Sequence, residues 1–137
     1  MNKENIDKKV VRDFGREWKA FNHQDIDTSL LDSGFDSYFH IFPFDSIKNL
    51  EGFDMGCGSG RWARLVSPKV GFLNCIDPSI EALKEAESNL KGFSNCSFEC
   101  AGVDNNTLAD SSQDFGYSLG VLHHIPDTPL ALNSCSK

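Results

Sequence analysis

Phe53-Asp54-Met55-Gly56-Cys57-Gly58-Ser59-Gly60-Arg61-Trp62 packs three glycines into five positions between an apolar run and a run of helix formers. The pattern predicts a strand, a tight turn and the start of a helix. A strand that ends in such a turn leaves unpaired backbone N–H groups at the next helix N-terminus, and residues without a Cβ let a ligand approach that backbone closely. The stretch therefore reads as a small-molecule cradle, with a plain structural loop as the alternative. The spacing bears on which molecule. In G-x-G-x-x-G a pyrophosphate rests on the helix N-terminus, whereas here the glycines run G-x-G-x-G and Asp54 stands two places before the first.

On both sides of this turn the chain alternates in character. Leu50 to Met55 reads as a strand, Ser59 to Val66 as a helix stopped by Pro68, and Val70 to Ile76 as an apolar strand ending at Asp77. Pro78 suits the first turn of a helix whose Ile80, Leu83, Ala86 and Leu90 share one face up to Gly92. Cys96 to Ala101 is a third strand, Asp104 to Ser112 a loop and Phe115 to Val121 a fourth strand. Pro126-Asp127-Thr128-Pro129 opens one more helix, which the chain barely begins. Strands alternating with helices predict an α/β fold, a doubly wound parallel sheet with right-handed crossovers and both faces covered.

Ahead of the sheet lies a helical lead-in. Ile6, Val10, Val11, Phe14, Trp18 and Phe21 fall on one helical stripe, frayed or interrupted at Gly15, and Asn22 to Thr28 is polar and turn-rich. Leu30 to Phe44, with Phe35, Tyr38, Phe39 and Phe42, predicts a second short helix before Pro43 stops it. These residues either cap a ligand cleft or only cover the edge of the core. The expected division is a helical segment over 1–45 and a cofactor-binding domain over 46–137.

In an open parallel sheet, ligands sit beyond the carboxyl ends of the strands where the order reverses. Asp77 lies about twenty residues past the turn, where an acidic side chain accepts hydrogen bonds from ribose hydroxyls. It would also serve as a helix N-cap ahead of Pro78. His123 and His124, just beyond the fourth strand, are candidates for a general base, since imidazole titrates near neutral pH. The alternative is packing against the following helix. A metal site from His123, His124 and Asp127 is not expected, because adjacent residues seldom present ligands to one ion.

Three stretches, in register, resemble the class I S-adenosylmethionine-dependent methyltransferases. Asp54 to Trp62 is similar to their first motif, in which a strand ending in an acidic residue runs into G-x-G-x-G. Asp77-Pro78-Ser79 follows at the matching distance. Tyr117-Ser118-Leu119-Gly120-Val121-Leu122-His123-His124-Ile125-Pro126-Asp127 resembles the fourth-strand signature of the methyltransferase-11 and -12 type. Phe14-Gly15-Arg16-Glu17-Trp18 also resembles a segment found before such domains.

The resemblance covers the chain from about Glu51 onward and implies a Rossmann-like sheet in the order 3-2-1-4. It implies S-adenosyl-L-methionine as cofactor, held by Asp54, Gly56, Cys57, Gly58, Gly60, Asp77, Pro78, Val103, Asp104 and Leu119. With no pyrophosphate to neutralise and an amino-acid moiety to hold, the carboxylate of Asp54 beside the turn is useful. Gly102-Val103-Asp104 resembles the adenine contact, although Asp104-Asn105-Asn106 is equally a turn. Asp114 matches an acidic residue at the start of the fourth strand that is more often structural than a ligand.

Family domains have seven strands, and the later ones are missing here, so the chain reads as an amino-terminal fragment whose open fourth strand invites self-association. Three functions follow: methyl transfer to a small-molecule acceptor, cofactor binding by a non-enzymatic remnant, or an NAD(P)-dependent oxidoreductase that shares the fold without the dinucleotide spacing.

Composition narrows these classes. At 137 residues the chain suffices for one domain with a core. Its net charge of −7 argues against a nucleic-acid partner, which needs a basic patch. No apolar run approaches the ~18 residues of a membrane span, and Met1-Asn2-Lys3-Glu4-Asn5 is no signal peptide, so a cytoplasmic protein is expected. Five cysteines without a C-x-x-C pair predict buried, reduced thiols rather than zinc or disulfides.

Overall fold

The computed structural model describes residues 5–20 and 28–137, with the side chains of residues 18–20 and 28 left aside. Phe21, the side chain of Trp18 and the polar run ahead of Thr28 therefore lie outside the described residues.

Four parallel strands form the sheet: β1 (Glu51–Met55), β2 (Phe72–Asp77), β3 (Cys96–Cys100) and β4 (Phe115–Tyr117), in the order β3-β2-β1-β4. The order reverses at β1, so the carboxyl ends of β1 and β4 flank the crevice where such sheets take ligands. This is the expected Rossmann-like, doubly wound arrangement. Period-2 alternation sorts β2 cleanly: Leu73 and Cys75 enter the larger core, while Ile76 joins Met55, Val103 and Ala131 on the opposite face. Towards the amino-terminal ends of the strands that second face turns polar. Asn74 donates there to Glu51 Oε1 and Gln113 Oε1, each at 2.9 Å, and accepts from Ser97 Oγ at 2.8 Å.

The α-helices among the described residues are α1 (Lys8–Ala20), α2 (Thr28–Phe39), α3 (Phe44–Ile47), α4 (Ala63–Val66), α5 (Ile80–Asn89) and α6 (Thr128–Cys135). Asp7 caps α1, its Oδ1 accepting the N–H groups of Lys9 and Val10. Gly15 does not interrupt this helix. It lets α1 cross the start of α5, where a Cβ on Gly15 would stand 2.7 Å from Ser79 Oγ. In α2, Leu31, Phe35 and Phe39 recur every four residues and are buried, with Phe35 and Phe39 entering the larger core. That helix ends four residues before Pro43, which instead stands at the N-cap of α3. The boundary expected after residue 45 falls inside α3.

Several element boundaries differ from expectation. The glycine turn runs on to Trp62, and α4 begins only at Ala63, because Gly56, Gly58 and Gly60 all take positive φ (79°, 55° and 77°). Pro68 lies within a 3-10 turn over Ser67–Lys69. β4 stops at Tyr117, since Ser118 Oγ donates to Met55 O at 2.8 Å and the chain then leaves the sheet. Ile80 is 49 % exposed, so the buried face of α5 is Ala82, Leu83 and Ala86, followed by Leu90. The last helix is two turns long, capped by Asp127 Oδ1 accepting Leu130 N–H at 2.9 Å.

Across β1 and β4, two glycines each receive an aromatic ring from the other strand. Phe115 lies over Gly52, and Phe53 lies over Gly116. A Cβ at either glycine would fall within about 2.3 Å of ring carbons, so both must be glycine for these rings to lie flat. Asp114 closes the same pair below, its N–H donating to Glu51 O at 2.8 Å and its Oδ2 accepting Glu51 N–H at 3.0 Å.

All five cysteines are free; Cys57 and Cys75 are buried, Cys96 and Cys135 half-buried, and Cys100 is exposed, against the expectation of a buried thiol. No helix among the described residues is long and apolar enough to cross a membrane.

Candidate cofactor cleft

A cleft opens at the carboxyl ends of the strands, walled by the glycine turn, Asp77–Ser79, Ala101–Val103 and Leu119–Val121, and roofed by α1. The turn that shapes it is held from within. Gly56 and Cys57 donate their N–H groups to Ile76 O at 2.7 and 3.1 Å, Gly58 donates to Asp77 Oδ2 at 2.9 Å, and Gly60 donates to Cys57 O at 2.9 Å. Four N–H groups of the turn, those of Gly56, Cys57, Gly58 and Gly60, are thus engaged by neighbours. Two of the glycines also make room for protein. A Cβ on Gly56 would stand 2.5 Å from Val121 Cγ2, and one on Gly60 would stand 2.3 Å from Leu90 Cδ1.

Asp77 connects the turn to the second crossover. Its Oδ1 accepts Ser79 N–H at 2.8 Å while Oδ2 holds Gly58, and the carboxyl faces the cleft. Burial pushes it above the usual carboxylate range, and the N–H groups of Ser79 and Gly58 pull it back. The N-cap of α5 is Ser79, whose Oγ accepts Ala82 N–H at 3.3 Å, so Asp77 is not the cap and Pro78 precedes it.

Gly56, Gly58, Asp77, Pro78, Val103 and Leu119 come together along the cleft. Asp54, Cys57, Gly60 and Asp104 do not line it. Asp54 lies beneath the turn, 3 % exposed, where it accepts a hydrogen bond from Tyr117 Oη at 3.0 Å. Burial pushes its carboxyl up to about 7, the Tyr117 hydroxyl opposes that shift, and Asp77 adds to it. Tyr117 is held in turn by edge-on contacts with Phe39 and Phe42, at 5.0 and 6.0 Å between ring centroids. Asp104 is exposed and accepts Asn5 N–H at 3.2 Å.

The two histidines part company. Both sit on a 3-10 turn over Leu122–His124, but His124 faces the cleft and meets Phe14 edge-on at 5.1 Å, whereas His123 does not line it. Among the described residues no cluster of His, Cys, Asp or Glu is arranged to hold a metal ion.

The lead-in divides between its two expected roles. Ile6, Val10, Val11 and Phe14 roof the cleft, while Phe35, Phe39 and Phe44 pack into the core. Asn5, also at the cleft, escaped the sequence reading, because its partners lie 99 and 122 residues away.

Residues 53–137 match the family of methyltransferase domains, and the chain belongs to that family. The methyl donor of these enzymes is S-adenosyl-L-methionine. Among solved structures, the chain is similar to the N-methyltransferase NodS from Bradyrhizobium japonicum WM9, in complex with S-adenosyl-L-homocysteine, at 18 % identity and a TM-score of 0.75, covering 90 % of this chain and 64 % of that one. It also resembles the complex of the Haloferax volcanii Trm112 methyltransferase activator with a methyltransferase (19 %, TM-score 0.69, covering 89 % and 53 %). A third neighbour is the YcgJ protein from Bacillus subtilis (26 %, TM-score 0.61, covering 64 % and 38 %). The chain thus spans between about two-fifths and two-thirds of the length of these structures. No match was found among curated proteins.

Proposed function

We propose that the cleft binds S-adenosyl-L-methionine and that the domain transfers its methyl group to a small-molecule acceptor. The observation that carries this reading is Asp77, a carboxylate fixed by Gly58 and Ser79 at the carboxyl end of β2, beside the strand where the sheet order reverses, in a chain of this family. The donor set suits the cofactor. Asp77 retains lone pairs for ribose hydroxyls, Ile6 and Val103 offer apolar surface for a purine, and Gly58 has no side chain to obstruct the approach. Asp54, Cys57 and Gly60 support the turn from beneath, and Asp104 stands at the rim.

The cofactor brings a methyl group on a sulfonium that already carries charge and leaving group. What remains for the chain is alignment and exclusion of water. Phe14, Leu119 and Val121 supply apolar walls, and α1 covers the cleft. His124 lines the cleft and His123 does not, which supports His124 as the proposed base for an acceptor O–H or N–H. A small molecule rather than a nucleic acid is the proposed acceptor, given the net charge of −7.

Isothermal calorimetry on the full chain tests the cofactor. S-adenosylhomocysteine should bind more tightly than NAD, and the reverse order would overturn the proposal.

A further inference from the structure

Asn5 sits where the two sides of the cleft's rim meet, and it is 6 % exposed. Its side-chain amide makes a two-point pairing with the backbone of Asp127. Nδ2 donates to Asp127 O, and Asp127 N–H donates to Oδ1, both at 2.8 Å. Its own N–H donates to Asp104 Oδ2 at 3.2 Å. One residue thereby joins two loops, its backbone holding the loop after β3 and its side chain the loop ahead of α6, two residues before the Asp7 cap of α1. Only an amide of this length offers donor and acceptor together in the geometry of a backbone pair.

Behind Asn5, α1 is pressed into the cleft. Ile6 lies so close to Gly102 that a Cβ there would be 2.8 Å from Ile6 Cδ1, and Phe14 rests on His124. Under this roof the cleft encloses about 140 Å³. Pockets for ligands run to roughly 300–1,000 Å³. Roof and ligand therefore claim part of the same space.

Given that the cleft takes S-adenosylmethionine, we infer that α1 is a strap across the cofactor site and that Asn5 is its latch, a positioning residue whose release from Asp104 and Asp127 admits and frees the ligand. The latch pairs neutral groups on the Asp127 side, so it opens by thermal motion and needs no proton or metal. The strap closes over bound ligand after shifting outward, with Ile6, Val10 and Phe14 as its inner surface.

The test is stopped-flow binding of S-adenosylhomocysteine to the parent chain and to Asn5→Ala, with hydrogen exchange of both proteins in the absence of ligand. Asn5→Ala keeps the backbone bond to Asp104 and removes the two-point pairing with Asp127, which should speed association and dissociation alike by about tenfold. Affinity should change less than either rate, and amides of α1 should exchange faster while those of β1 and β2 do not. A wall residue of no gating role would slow association or leave it unchanged, and that result overturns the latch. Should the parent fail to bind S-adenosylhomocysteine, the proposed cofactor falls, and the exchange measurement still decides. Faster exchange confined to α1 supports the latch, and unchanged exchange rejects it. If Asn5→Ala does not fold, Asn5→Asp, which keeps the acceptor for Asp127 N–H and loses the donor, is read by the same two measurements.

Discussion

Asp54 is a carboxyl group placed where water cannot reach it, and that fixes how the protein responds to pH. Its folded pKa, about 7, stands above the ordinary value of 3.8. The folded state therefore holds a proton that the unfolded state has released between roughly pH 4 and pH 7. Stability should fall as pH rises through that window, and the loss should be complete above it. Asp77, shifted in the same direction, adds to the slope. Asn in place of Asp54 keeps an acceptor for Tyr117 Oη and cannot ionise. Urea unfolding at pH 5 and pH 8 should show a smaller loss in Asp54→Asn than in the parent, with the variant the more stable at pH 8. An equal loss in both would mean that the carboxyl is ionised in the fold throughout.

Elements were legible from sequence where local pattern alone decides them. β1 and β2 follow from short runs ending at the glycine turn and at Asp77-Pro78, and α5 follows from helical spacing between Pro78 and Gly92. α4 starts later than expected because helix-forming residues follow the glycines directly, whereas positive φ at Gly56, Gly58 and Gly60, every second residue, keeps the turn out of a helix and α4 begins at Ala63. β4 was read too long because Leu119 and Val121 look like strand residues and are in fact cleft walls. Gly15 teaches the same lesson inside a helix. Gly→Ala at an exposed helix interior usually stabilises by about 1 kcal/mol. Here the new methyl would meet Ser79 Oγ and displace it from Ala82 N–H, a cap also worth about 1 kcal/mol. Gly15→Ala should thus be neutral or destabilising in the parent and stabilising by about 1 kcal/mol in a Ser79→Ala background. Equal effects in the two backgrounds, measured by thermal unfolding, would refute the contact.

At the scale of the molecule, sheet order and the position of the cleft were both implied by three motifs in register, while the closing contacts of Asn5 were not, since no local pattern encodes a pairing across 122 residues. The described sheet ends at β4, three residues long, which leaves one side of that strand unpaired. The 137-residue chain should self-associate through this edge, as sedimentation at rising concentration would show, and a monomer at every concentration would refute it. The Asn5–Asp127 pairing has a kinetic consequence as well. Closing so long a loop is rewarded only after the strands between have assembled. The pair therefore forms on the native side of the folding barrier, and its loss belongs to the unfolding limb of the chevron. Asn5→Ala should unfold faster than the parent and refold at the same rate; slower refolding would place the chain's two ends together in the nucleus from the outset.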